Sequence, residues 1–391
     1  MLPGIAVFGT GSTIQCLVPV LKACDFKVEA IWGRTRTEAD EAAKVLDIPF
    51  STNKVDEALL CKNVELVVIS CSPHLQSPIA VKALGIGKHV LCCPPAGLSQ
   101  LQTYKMVTAA CYYPSLMAIV GYGLRFLPAL QKARQYIDEG SIGAVTVIEA
   151  RVQCGSLLNE KYDWMCEEGM GGGVLNTYGG ALIDLVTYLT HQKAEHVNGM
   201  LKTYVDRTAG IQGVRQITSD DFCSFQMELS NGVSVSISLN SHLPGTFVHE
   251  VLVCGTEGRL VVNGSTLQLF NNKSDRGEII TPEKREIISE PMLRLLLKNT
   301  DISAPFLEGL TQLVGVLRDA CARTADRHAW LEEPVHRAAT FEDALYVQTV
   351  IDAIRQSSRT HEWVKVKVMT EEPEPNPHLS SAVRRSTFSA Y

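Results

Sequence analysis

The chain lacks a cationic excess: 36 Lys and Arg stand against 42 Asp and Glu over 391 residues, a formal net charge of −6. That balance gives no basic footprint for nucleic acid, and no run of charge marks a membrane-surface patch. Long apolar runs are lacking too, since each is interrupted too soon to span a bilayer. Among the 12 cysteines there is no CxxC and no His/Cys pairing, which excludes the common zinc arrangements. No tandem repeat or low-complexity segment precedes the tail. What is present, 46% hydrophobic and 20% charged residues, suffices for two buried cores. Cys16, Cys71, Cys92, Cys223 and Cys254 fall in predicted strands or helices, as reduced core residues do, so a cytoplasmic setting is expected.

The N-terminus carries the first chemical signal. Gly4 to Phe8 is a short apolar run, Gly9-Thr10-Gly11 follows, and an apolar-periodic segment then runs to about Lys22. This reads as strand, tight turn and helix. Two glycines let the backbone approach a pyrophosphate while the free N–H groups at the helix start favour its charge. Gly9, Thr10, Gly11, Ser12 and Thr13 are therefore candidate cofactor contacts. The third fingerprint position is Ile14 instead of Gly or Ala, which predicts looser helix–strand packing and a displaced phosphate. Residues 2–21 are apolar enough to resemble a secretion signal. They lack a basic leader, and cleavage near Ala23 would remove the strand and its turn.

Lys27 to Trp32 reads as a second strand at the spacing of a βαβ unit, and its end carries the specificity signal. An NAD site would place Asp or Glu there, whereas this chain has Gly33-Arg34-Thr35-Arg36. Arg34, with Thr35 or Arg36, suits a 2′-phosphate, so NADP is favoured over NAD. The competing reading is a solvated helix start balanced by Glu38, Asp40 and Glu41. Leu66 to Ser70 and His89 to Cys92 are further strands, with Ile79 to Leu84 helical between them, and Ser70 joins the candidate cofactor contacts.

The predicted fold class is α/β: an N-terminal doubly wound Rossmann domain over 1–124, then an α+β domain over 125–369 with a large, mostly antiparallel open sheet. In the second domain, Pro128 to Asp138 reads as helix and Val174 to Leu189 as a Gly-rich helix. Strands are expected over Ala144–Cys154, His196–Val205, Phe222–Leu229, Val233–Asn240, Val248–Val253 and Arg259–Val262, with a hairpin at Asn231-Gly232. Serine alternates with apolar residues from Val233 to Leu239, so one sheet face is polar but uncharged. Alternating prolines after Met369 predict a disordered tail over 370–391.

Gly87-Lys88-His89-Val90-Leu91-Cys92, then Arg125-Phe126-Leu127-Pro128, then Met170-Gly171-Gly172-Gly173-Val174-Leu175 followed by Ile183-Asp184, occur in an order that resembles the glucose–fructose oxidoreductase/inositol dehydrogenase (Gfo/Idh/MocA) family. The resemblance covers roughly residues 3 to 370 and implies an oxidoreductase fold, a nicotinamide dinucleotide and a homodimer formed through the open sheet. It also implies an alternative to the cytoplasm, because relatives of this kind are associated with secretion and extracellular-matrix assembly. A protein partner is then possible, with no nucleic acid or membrane among the expected partners.

The chain departs from that family where the proton moves. Active members carry Glu-Lys-Pro after the Gly-Lys-His-Val strand, and here the triplet is Cys93-Pro94-Pro95. The family pattern Gly-Gly-x-Leu-x-Asp-x-Gly-x-His falls on Gly172 to Ala181, so Thr177 stands for the aspartate and Ala181 for the histidine. Neither a threonine hydroxyl nor a methyl group titrates near neutral pH. Tyr178 is the candidate substitute acid, with Cys92 and Cys93 as weaker alternatives. Trp164 matches the family's cofactor-facing tryptophan, while Met165 replaces the arginine that often follows it. The expectation is an NADP-binding, non-catalytic dimeric scaffold or regulator. The alternative is an active NADP-dependent oxidoreductase on a sugar- or polyol-like substrate with a displaced acid–base group.

Overall fold

The computed structural model describes residues 2–372, apart from 160, 209–214, 273–276, 299, 301, 324–325, 327–329 and 332–334. Apolar runs and their breaks generate the first sheet: β1 (Gly4–Phe8), β2 (Lys27–Trp32), β3 (Phe50–Thr52), β4 (Val64–Ile69), β5 (His89–Cys92) and β6 (Ala118–Val120). Between them lie α1 (Ser12–Ala23), α2 (Arg36–Leu46), α3 (Val55–Leu59), α4 (Pro73–Gly85) and α5 (Gln100–Tyr112). Every residue of β1 is buried, as expected of a parallel strand covered on both faces. The order is β6-β5-β4-β1-β2-β3, all parallel, so the strand order reverses between β1 and β4. Ligands of such sheets bind in the crevice at that reversal, beyond the carboxyl ends of the strands.

The second sheet is built from α+β sequence after α6 (Pro128–Asp138). Its strands are β7 (Val145–Gln153), β8 (Ala194–Lys202), β9 (Phe222–Leu229), β10 (Ser234–Asn240), β11 (Val248–Gly255), β12 (Gly258–Asn263), β13 (Thr266–Asn271) and β14 (Glu278–Ile280). With the late β16 (Val364–Lys365) the order is β14-β13-β12-β11-β7-β10-β9-β8-β16, and among these pairs only β7 and β10 run parallel. The predicted hairpin stands: Gly232 has φ +84°, and the Asn231 side chain accepts from the Val233 N–H at 3.3 Å. Val235, Ile237 and Leu239 point into the core, and Ser234 and Ser236 are exposed on the opposite face.

Besides the added strands β3, β6, β13, β14 and β16, two features differ from the expectation. The Gly-rich helix is not uniform: residues Leu175–Gly179 form one π-helical turn, and the regular helix α7 begins only at Gly180 and ends at Thr190. The division at 124/125 is also crossed, because the chain returns to the first sheet after α8 (Glu290–Lys298). Leu307, Leu310, Leu313 and Leu317 of α9 (Ala304–Arg323) share one apolar cluster with Ile5, Val7, Ile14 and Leu91. Next, β15 (Ala339–Thr340) adds an antiparallel edge to β6, and α10 (Phe341–Thr360) packs between α5 and β8. The physical reason is coverage: a parallel sheet buried on both faces needs helices on both sides.

A buried ion pair fixes this crossing. Arg125 donates from Nε and Nη2 to the two oxygens of Asp184 in α7 at 2.8 and 2.6 Å, with Asp343 of α10 at 3.2 Å. The motif residues Arg125 and Asp184 are thus joined in a bidentate pair that spans both sheets' connecting elements. The expected tail over 370–391 lies outside the described residues beyond 372. Among the described residues no helix is long and apolar enough to cross a membrane.

Candidate dinucleotide site

The glycine turn sits at the strand-order reversal. Gly9 adopts φ +132°, and a Cβ there would lie 2.2 Å from the Ser70 carbonyl oxygen, so no other residue fits without movement. Backbone bonds tie the strand ends together: Gly9 N–H donates to Trp32 O (2.9 Å), Ser70 N–H to Phe8 O (2.8 Å) and Cys93 N–H to Ile69 O (2.7 Å). Gly11 caps α1 with no side-chain bond, no acidic residue lies in the first turn, and a Cβ on Gly11 would meet nothing. The N–H groups at Ser12 and Thr13 therefore face open space at the positive end of a 12-residue helix. That cradle fits a pyrophosphate. Ile14 is fully buried in the core cluster, so its larger side chain fills the helix–sheet interface and stays out of the cradle.

One strand over, Arg34 follows β2 and is exposed, with a single long contact to Glu38 at 3.4 Å. Thr35 is committed to structure: its hydroxyl oxygen accepts from the Glu38 N–H, closing a capping box at the start of α2. Arg36 is occupied as well, by Asp40 at 3.0 Å and the Ser51 carbonyl at 2.8 Å. Of the three, Arg34 alone is left to meet a phosphate. Ser70 is half-buried and hydrogen-bonds the Cys93 thiol.

Each glycine of the Gly171–Gly173 run is required by a different neighbour. A Cβ on Gly171 would meet Leu98 and Pro73 of the first domain at 2.8 and 2.9 Å, and one on Gly172 would lie 2.1 Å from the Met165 carbonyl. On Gly173 it would lie 2.1 Å from Asp220 Oδ1. The run is thereby clamped between the start of α4, the short helix Trp164–Cys166 and the loop before β9. Trp164 is half-buried in that short helix, which Asp163 caps by accepting from the Met165 N–H at 2.9 Å.

At the family's proton-transfer positions the side chains offer no titratable group. Pro94 is half-buried at the end of β5, Ala181 is buried in α7, and Thr177 turns its hydroxyl back to the Gly173 carbonyl at 2.9 Å within the π turn. Tyr178 packs away from Thr177. Its ring lies 5.9 Å from Phe247 and 5.4 Å from Phe306, and its hydroxyl meets the Cys154 thiol. The cysteines are poor nucleophiles: burial pushes the Cys93 thiol up to about 11 and the Cys71 thiol up to about 12, and burial raises the Cys92 thiol as well.

Residues that sequence reasoning passed over lie beside the Gly-rich run. Asp220 is buried and accepts from the Leu175 N–H at 2.8 Å, holding the start of the π turn. Burial lifts its carboxyl to about 6 despite that bond. The only signal in sequence is the Asp220-Asp221 pair before β9, which reads as an ordinary loop until Gly173 is seen against it.

Comparison with known proteins places this geometry. Residues 4–134 match "Oxidoreductase family, NAD-binding Rossmann fold", and residues 130–261 match "GFO/IDH/MocA C-terminal domain". The chain is 46% identical over 397 residues to glucose-fructose oxidoreductase domain-containing protein 1 of Xenopus tropicalis, covering 100% of both. It is 46% identical over 388 residues to glucose-fructose oxidoreductase domain-containing protein 2 of Homo sapiens, covering 99% of this chain and 100% of that one. Among solved structures, levoglucosan dehydrogenase in complex with NADH and L-sorbose superposes with a TM-score of 0.76 at 20% identity, over 94% of this chain and 99% of that one. A super-repressor mutant of Gal80p from Saccharomyces cerevisiae superposes with a TM-score of 0.74 at 16% identity, over 95% and 100%.

Proposed function

The chain belongs to the Gfo/Idh/MocA oxidoreductase family, and from that premise we propose that it is an NADP-binding, non-catalytic dimeric scaffold or regulator. The observation that carries the reading is the replacement of all three proton-transfer positions by Pro94, Thr177 and Ala181, none of which can give or take a proton. Fold alone does not decide the matter, since the same architecture serves a dehydrogenase and a repressor among its structural neighbours.

In this reading the N–H groups at Gly11 to Thr13 hold the pyrophosphate, Arg34 takes the 2′-phosphate, and Ser70 and Trp164 border the nicotinamide. The bound dinucleotide supplies a hydride-accepting ring. The chain supplies shape and charge without a residue to move the accompanying proton. Occupancy then acts on stability: at a hundred times the dissociation constant, binding to the folded state alone adds about 2.7 kcal/mol. The polar open face of the second sheet, with Ser234, Ser236 and Gln226 exposed, is the proposed dimer surface. Among the described residues no disulfide joins any of the 12 cysteines, which supports a reducing, cytoplasmic setting over the extracellular matrix.

Incubating the purified protein with NADP and a panel of sugars and polyols tests the reading. No reduction of the nicotinamide above the buffer rate is expected. Sustained reduction, lost on Tyr178→Phe, would replace it with a dehydrogenase that uses a displaced acid.

A further inference from the structure

The end of β2 and the turn after it hold three positions from which a side chain could meet the ribose of an adenine dinucleotide, and one of them is open. Trp32, the last residue of the strand, is 6% exposed with its ring stacked on Phe8 at 5.8 Å, so position 32 belongs to the core. Arg34 lies beyond the turn with its side chain 74% exposed. Gly33, between them, is buried, and a Cβ on it would lie 2.9 Å from the Ala39 backbone nitrogen and 3.1 Å from the Ala39 Cα and Cβ. The first turn of α2 closes directly over this residue. An approach that tight to backbone leaves room for no side chain unless the helix moves.

The helix is held against such a move at both ends. At its start Thr35 and Glu38 form the capping box, Arg36 Nη1 donates to the Ser51 carbonyl at 2.8 Å, and the Ser51 hydroxyl donates to Asp40. The Gly33 N–H donates to the Thr52 carbonyl at 3.1 Å, which ties the turn itself to β3. At the far end the Lys22 ammonium of α1 donates to the Leu46 and Asp47 carbonyls at 2.8 and 2.6 Å. Ala39, whose nitrogen stands nearest to Gly33, is fully buried. A side chain at position 33 would therefore displace a segment that several bonds fix in place, and Arg34 with it.

An NAD site recognises the ribose through a carboxylate placed about 20 residues beyond the glycine turn, near the end of the second strand. We propose that Gly33 is a specificity-determining residue that acts by closure. Position 32 is filled by Trp32 and position 33 is barred by α2, so neither can present a carboxylate to the ribose hydroxyls, and a nucleotide gains a partner here by bringing a phosphate to Arg34. This role presupposes the dinucleotide site proposed above. It differs from a rule of charge alone, under which Gly33→Asp would convert the site from NADP to NAD. Under closure the same substitution gains nothing for NAD.

Calorimetric titration of NADP(H) and NAD(H) into wild type, Gly33→Ala and Gly33→Asp, with urea unfolding of each protein, separates the two. Both substitutions are expected to lower the urea midpoint and to weaken NADP binding roughly tenfold or more, since a methyl group already meets the Ala39 backbone. Neither is expected to bind NAD more tightly than wild type does. Gly33→Ala adds one carbon and no charge, so it decides the matter if Gly33→Asp fails to fold. A gain of roughly tenfold in NAD affinity in Gly33→Asp, or a Gly33→Ala chain with the urea midpoint and NADP affinity of wild type, overturns closure and leaves the NADP reading standing. Wild type that binds neither dinucleotide, or binds NAD as tightly as NADP, overturns both.

Discussion

Single side chains set what this protein can do with a proton. A methyl group at Ala181, a ring without a donor at Pro94 and a hydroxyl bonded into its own helix at Thr177 leave Tyr178 as the nearest ionisable candidate, and it is packed between Phe247 and Phe306. Tyr178→Phe is therefore expected to leave NADP affinity within about twofold of wild type by calorimetry, with any loss appearing as weaker packing. A larger drop would place the hydroxyl at the cofactor. Two other buried groups make stability depend on pH in opposite senses. His249 is buried against Phe306 with both ring nitrogens unpartnered, and burial holds its pKa at about 4 instead of 6.5. Between those values the unfolded chain binds the extra proton, so this contribution is present above pH 6.5 and fades as pH falls toward 4. Asp220, lifted by burial from 3.8 to about 6, binds its proton in the folded state, so its contribution is present at low pH and fades as pH rises through the same region. The two largely cancel between pH 4 and 6. His249→Phe removes one side of the balance, and its denaturant midpoint should rise relative to wild type as pH falls from 6 to about 4. Parallel pH profiles for the two proteins would show that His249 is not the group involved.

Elements translate those residues into a site, and the turn from β1 to α1 is the most demanding of them. Gly9→Ala would press a Cβ into the Ser70 carbonyl at φ +132°, so a loss of about 1–3 kcal/mol in urea unfolding is expected, together with loss of the thermal shift on adding NADP. Wild-type stability in that variant would mean that β1 and β4 do not meet as described. This turn was legible in the sequence because its determinants are local: an apolar run, two glycines and a periodic segment. Six of the second-sheet strands and the Asn231-Gly232 hairpin were legible for the same reason, through alternation and a turn that needs positive φ, whereas the strands β13, β14 and β16 at the ends of the sheet were not read. The π turn over Leu175–Gly179 was not, because one added residue in a helix leaves the apolar spacing nearly unchanged. The return of α9 and β15 to the first sheet was missed because it depends on pairing between segments more than 200 residues apart, which no local pattern records. Asp220 escaped notice on similar grounds: what singles it out is its approach to Gly173, not its neighbours in sequence.

At the scale of the whole molecule, one sheet is covered on both faces and the other on one. The open face of the second sheet carries Ser224, Ser236, Gln226 and Asn198 across adjacent strands, with Glu228, Glu149 and the Arg151–Glu250 pair on the same side, and it is this mixed polar face that is proposed to meet a second copy of itself. Ser236→Arg places a long side chain at its centre beside Glu149, and light scattering after size exclusion should show the proposed dimer converted to monomer with dinucleotide binding intact. A dimer that survives this change would have to form elsewhere. In the proposed reading, dimer and cofactor together make a molecule stabilised and reported on by a dinucleotide whose chemistry it does not use. The most direct test is calorimetry of NADP(H) and NAD(H) against wild type and Arg34→Ala, after identifying any dinucleotide that co-purifies. The expected result is tight NADP binding, weaker NAD binding, and an NADP affinity reduced roughly tenfold or more in the variant, because the proposed site leaves Arg34 alone to take the 2′-phosphate. Equal affinity for both dinucleotides, unchanged by Arg34→Ala, would contradict the NADP assignment, and no binding of either would contradict the account as a whole.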